Sequence, residues 1–120
     1  MINYKEYRGA IHIHSDYSDG SGSVEEIIRD ARDCKLDFII LSDHDTLEAK
    51  RAGWEGWHND LLVAVGVEVS PYRRGHVLAL NINDIDGYKY MNEKEIVRRA
   101  HEQGAYVFVV HPQGKKKKSH

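Results

Sequence analysis

Four short apolar runs in this chain lead into a histidine or a carboxylate. "GAIHIH" delivers His12 and His14, "FIILSDHD" delivers Asp43, His44 and Asp45, "VAVGVEV" carries Glu68, and "YVFVV" runs directly into His111. Helix-like stretches separate several of these runs. Buried runs alternating with helices argue for a largely parallel sheet with helices on its faces. In such sheets the C-terminal strand ends gather on one rim, and sites are built there. The pattern therefore points to two things together: an α/β fold, and a cluster of imidazoles and carboxylates on one side of it.

Five strands can be read: "RGAIHIH" (8–14), "DFIILS" (37–42), "LLVAVGVEVS" (61–70), "GHVLALNI" (75–82) and "AYVFVVHP" (105–112). "SVEEIIRDARDCKL" (23–36) reads as a helix, with Ser23 as N-cap and Glu26 completing a capping box. "NEKEIVRRAHEQG" (92–104) reads as a second, closed by Gly104. "DTLEAKRAGWEGWHND" (45–60) is helix-like but interrupted by Gly53 and Gly56. Gly66, inside a strand, predicts a bulge or a close backbone approach. The connection from Val69 to His76 is short and holds Pro71 and Gly75, so it reads as a hairpin with one antiparallel pair. His76 begins its strand rather than ending it; an antiparallel course returns it to the same rim.

Length and charge narrow the functional classes. A chain of 120 residues suggests one domain, expected over 1–112, with a basic polar tail over 113–120 that holds Lys115 to Lys118. A net charge of -2, with no aromatic-plus-basic stripe, argues against strong nucleic-acid binding. No apolar run approaches the roughly 20 residues of a membrane span, so no membrane partner is expected. The start "MINYKEYRGA" has no apolar signal-peptide region, and the single cysteine, Cys34, excludes an internal disulfide. A cytoplasmic location is the expectation.

The chemistry rests on residue types. His12 and His14 occupy alternate strand positions, and a side-chain period of two sends both to one side. Neutral imidazole suits zinc, iron or manganese, and carboxylates are harder ligands for the same ions. Glu68 lies within an apolar strand, where a carboxylate is costly to bury without a partner; its two oxygens can bridge two metals. Two metals roughly 3.5–4 Å apart can bind a phosphate and activate a water. A single cysteine argues against a structural thiolate zinc site. Taken one at a time these residues have plain explanations: Asp43 or Asp45 capping a helix, His76 as a structural residue, His111-Pro112 ending a strand. Their joint placement on one rim is what points to metal. His58 and His101, in helical stretches, are assigned to solvent, and His120 belongs to the tail.

"HIHSDYSDG", "LSDHD", "GVEVS", "GHVLAL" and "VVHP" resemble, in order, the motifs of the PHP family (polymerase and histidinol phosphatase domain), over residues 8 to 112. The resemblance implies part of a distorted (β/α)7 TIM-like barrel holding up to three metals at its C-terminal rim. It implies His12 and His14 on a first metal, Glu68 bridging the first and second, His76 and His111 completing the second, and Asp19 and His44 on a third. Asp43 and Asp45 then orient His44 from behind. Members of the family continue past the His-Pro motif and supply a late Asp-x-His pair; this sequence stops nine residues after His111 and lacks it. Two divalent metals (Mn, Zn or Fe) are therefore expected, with the third short of ligands. The implied activity is hydrolysis of a phosphomonoester or nucleotide by a metal-activated water, with Arg73 and Arg74 placed to bind substrate phosphate. The alternative is a catalytically incomplete metal-binding fragment or module. A second copy or a partner segment is expected to complete the barrel, because open sheet edges need cover.

Overall fold

The computed structural model describes residues 4–71 and 75–110. The strands are β1 (Gly9–Ile13), β2 (Phe38–Leu41), β3 (Gly56–His58), β4 (Leu61–Val65), β5 (Val67–Val69), β6 (His76–Leu80) and β7 (Tyr106–Val110). The helices are α1 (Val24–Asp33), α2 (Glu48–Arg51) and α3 (Glu93–Glu102), with a short 3-10 turn at Tyr88–Tyr90. The strands form two sheets. The first has the order β1-β2-β4-β3, the second β5-β6-β7. Pairing of β1 with β2 and of β2 with β4 is parallel. β3 joins β4 antiparallel, and the whole second sheet is antiparallel. The result is a mixed α/β fold with a parallel-strand sheet and few helices.

Helix α1 forms where its capping chemistry and apolar spacing agree. Ser23 Oγ accepts from Glu26 N at 3.1 Å, and Glu26 Oε1 accepts from Ser23 N at 2.9 Å. Val24, Ile28 and Ala31 face inward and pack with Ile39, Leu41, Leu61, Val63 and Val65 of the first sheet. Asn92 Oδ1 accepts from Glu95 N at 2.8 Å at the start of α3. Ile96 and Ala100 of that helix pack with Val67, Val69, Val77 and Ala79 of the second sheet. Each sheet thus has its own helix and its own core cluster.

Four sequence expectations need correction. The stretch 45–60 is not one interrupted helix: α2 has four residues, and Gly53 (φ 90°) and Gly56 (φ 131°) turn the chain into β3. His58 consequently lies on a strand, half-buried, 2.7 Å from the Trp54 carbonyl through Nε2 and stacked on the Trp54 ring, not in solvent. Seven strands are present among the described residues rather than five, because β3 is added and 61–70 divides at Gly66. The strands also make two sheets and not one wall. Gly66 is where they meet: its N–H reaches the Leu41 carbonyl at 2.7 Å, and beyond it Val67 registers with Ala79 of β6.

A Cβ at Gly66 would stand 2.5 Å from the Ala79 carbonyl oxygen and 2.7 Å from Leu80 Cδ2. This is the close approach that a glycine inside a strand implies. Gly66→Ala is expected to destabilise the fold by about 1–3 kcal/mol, the usual range for forcing extra volume into a packed site. A lowered urea midpoint with an unchanged transition slope checks this; an unchanged midpoint contradicts it.

Candidate metal centre

The rim is assembled by strand ends. β1 does not deliver its histidines as a regular strand does. Its register with β2 shifts between Ala10 and Ile13, and His12 adopts φ 65°, in the left-handed region. Bulges of this kind re-aim side chains next to functional sites. His12 and His14 therefore reach the same side through a bulge, where a period-two strand was the expectation. The turn that follows is tight. Gly20 N donates to the Ser15 carbonyl at 2.9 Å, and a Cβ at Gly20 would overlap the His14 carbonyl oxygen. That turn carries Asp19 back over His14.

Glu68 is the centre of the cluster, with its side chain 1% exposed. His12 Nε2 lies 2.6 Å and His14 Nε2 3.0 Å from its Oε1. His76 Nδ1 lies 2.9 Å from Oε2, so the antiparallel β5–β6 pair does bring His76 back to the rim. The backbone of Glu68 is held from the other sheet: its N–H donates to the Asp43 carbonyl at 2.9 Å, and its carbonyl accepts from Asp45 N at 3.1 Å. Burial works to raise the Glu68 pKa. The His12 hydrogen bond and the charges of His12, His44 and His14 outweigh it, leaving the carboxyl below its ordinary value.

A second group lies beside the first. His44 Nε2 is 3.4 Å from Asp19 Oδ2, and His14 Nδ1 is 3.7 Å from Asp19 Oδ1. The His14 and His44 rings are stacked, with centroids 4.3 Å apart. His12, His14 and Glu68 form one set, and His14, Asp19 and His44 another, whose ligand atoms lie within 4.8 Å of one another. Both sets could hold a divalent ion through the imidazole and carboxylate donors that such ions use. His14 Nδ1 tests the fit: it is buried, has no hydrogen-bond partner, and faces Asp19 across a gap too long for a hydrogen bond. A cation between Asp19, His14 and His44 would satisfy it.

Asp43 and Asp45 divide their work differently from the expectation. The Asp43 carboxylate makes no hydrogen bond to the His44 ring. It accepts from Ser15 N at 2.5 Å, Ser15 Oγ at 2.7 Å and Ser18 Oγ at 2.9 Å, and so pins the turn that carries Asp19. The His44 imidazole is held instead by Ser70, whose Oγ is 2.7 Å from Nδ1. Asp45 Oδ1 accepts from Ser70 N at 2.8 Å, so its effect on His44 passes through Ser70. Ser15, Ser18 and Ser70 were not expected at the site; Ser15 directly follows His14 and Ser70 directly follows β5, while Ser18 is marked only by its place before Asp19 in the turn. His111, Arg73, Arg74 and Lys115 to Lys118 lie outside the described residues. His101 is exposed on α3.

The geometry agrees with the sequence comparisons. The PHP domain profile matches residues 10–117. The chain belongs to the PHP domain family. It is similar to a phosphoribosyl 1,2-cyclic phosphate 1,2-diphosphodiesterase of Eggerthella lenta, 31% identical over 80 residues, covering 62% of this chain and 30% of the relative. It is also similar to DNA polymerase III subunit alpha of Borreliella burgdorferi, 42% identical over 53 residues, covering 36% of this chain and 5% of the relative. The PHP domain described here thus spans under a third of the length of these curated relatives. In fold it resembles a two-domain protein from Bacteroides vulgatus that contains a predicted PHP-like metal-dependent phosphoesterase. That similarity has a TM-score of 0.61 at 23% identity, over 84% of this chain and 34% of the other. No helix among the described residues is long and apolar enough to cross a membrane.

The depressed Glu68 pKa fixes a sign for pH dependence. A group whose folded pKa lies below its unfolded one stabilises the fold above the unfolded value, 4.5 here, and that stabilisation disappears as pH falls through the folded value. In metal-free protein, the urea-midpoint advantage of wild type over Glu68→Gln is therefore expected to shrink as pH falls below 4.5. An advantage that stays constant or grows as the solution is acidified contradicts the assignment.

Proposed function

We propose that this is a divalent-metal centre for phosphoester hydrolysis. The observation that carries the reading is the buried Glu68 carboxylate, with His12 and His14 at one oxygen, His76 at the other, and the His14–Asp19–His44 group alongside. His12, His14 and Glu68 would hold a first ion. Glu68 would bridge to a second held by His76 and His111, and Asp19 and His44 would hold a third beside the His14 ring. Mn, Zn or Fe fits these donors. Such ions, when bound, lower the pKa of water toward neutrality and offset charge growing on phosphoryl oxygens. The protein's own part is placement: Glu68 is fixed by two sheets, Asp19 by the Asp43-held turn, and His44 by Ser70.

The substrate of this reading is a small phosphorylated molecule, a phosphomonoester or nucleotide, with Arg73 and Arg74 as phosphate-binding groups. The name of the Eggerthella lenta relative, a phosphodiesterase of a cyclic phosphate, supports phosphoester chemistry in general. The fold is read as part of a TIM-like barrel, completed by a second copy or a further segment. The exposed apolar side chains of β7, Tyr106, Phe108 and Val109, support an additional strand there. A cytoplasmic setting belongs to the same proposal. The specific rival is a metal-binding module without turnover.

Elemental analysis paired with hydrolysis of p-nitrophenyl phosphate in added manganese separates the readings. Bound metal and manganese-stimulated turnover are expected. His12→Ala and Glu68→Ala should each reduce turnover by more than about 100-fold, beyond the usual effect of losing an outer partner of a metal ligand. Metal without turnover would favour the module; neither metal nor turnover would remove both.

A further inference from the structure

An imidazole does not choose its own orientation. Its terminal torsion is broad and roughly two-fold, so the ring can present either edge to a site unless one nitrogen is held. His12, His14 and His76 are each placed against a Glu68 oxygen. His44 is not: its Nε2 stands 3.9 Å from Glu68 Oε1. Among the described residues, the one hydrogen bond of its ring is between Nδ1 and Ser70 Oγ, at 2.7 Å. Ser70 directly follows β5 and is itself fixed, since its N–H donates to Asp45 Oδ1 at 2.8 Å. Asp45 in turn holds the Glu68 carbonyl through its own N–H at 3.1 Å and adopts φ 56°. The chain Asp45–Ser70–His44 thus ties one ring to the same strand that supplies Glu68.

We propose that Ser70 is a positioning residue for metal: its Oγ accepts the His44 Nδ1 proton and leaves Nε2 to bind a divalent cation between Asp19 and His14. This role rests on the metal-centre reading above. A metal-bound histidine characteristically gives its other ring N–H to an outer partner, which fixes both tautomer and orientation. Usually that partner is a carboxylate or a carbonyl. Here a hydroxyl does the work, and the carboxylate of Asp45 stands one step behind it.

The test uses zinc, which is diamagnetic and allows the ring to be observed directly. Zinc-loaded, 15N-labelled protein should show His44 with a slowly exchanging Nδ1–H and a metal-shifted Nε2. Calorimetric titration of Ser70→Ala should show zinc binding weakened about 10- to 100-fold at one site, the range for removing an outer partner, with the site of His12, His14 and Glu68 preserved. Ser70→Thr, which keeps the hydroxyl, should restore both the affinity and the Nδ1–H signal. A purely structural role predicts lower stability for Ser70→Ala with unchanged zinc affinity, and that result would overturn the proposal while leaving the metal centre intact. So would a His44 ring protonated on Nε2 in the loaded protein. Wild-type protein that takes up no zinc would overturn the metal reading and this role together.

Discussion

Glu68 is 1% exposed at the junction of two sheets, and it is ionisable. An unpaired ion in such a place costs on the order of several kcal/mol, so its surroundings must answer it. They do so with imidazoles rather than with lysine or arginine: His12 and His14 at one oxygen, His76 at the other. Imidazole is a cation only when protonated, and a metal ligand when neutral. A buried carboxylate ringed by histidines can therefore be balanced in two ways, by protons or by a divalent ion. Much of the rim follows from keeping both options at one point.

The backbone around Glu68 is arranged for that purpose. Gly66 lets β5 leave the first sheet and join the second, because a side chain there would collide with Ala79 and Leu80. The segment Asp43–Asp45 then closes the seam between the sheets through two hydrogen bonds to the Glu68 backbone. The same segment supplies His44, and its flanking carboxylates reach outward in two directions. Asp43 fixes the turn of Asp19, and Asp45 fixes Ser70. Ligand placement and sheet assembly share the same few residues, so a change at either seam would be felt at the site.

Much of this was legible in the sequence because strand periodicity and capping are local signals. Ser23 with Glu26 marked α1, and the Pro71–Gly75 connection marked the hairpin that returns His76. The gathering of His12, His14, His44 and Glu68 followed from a single topological rule about strand ends. What was not legible depends on geometry between distant segments. The β1 bulge at His12 leaves no mark in an alternating pattern. β3 is too short for its three residues to stand out against the glycines around it. Asp43 and Asp45 are chemically alike in "SDHD", and only the folded positions of Ser15 and Ser70 tell them apart.

The central claim is that Glu68 and its histidines form a divalent-metal site. Anomalous diffraction from crystals grown with manganese tests it most directly. The account predicts a manganese peak bonded by His12, His14 and Glu68. A folded protein whose only manganese lies elsewhere, with His12 and His14 still hydrogen-bonded to Glu68, would contradict it.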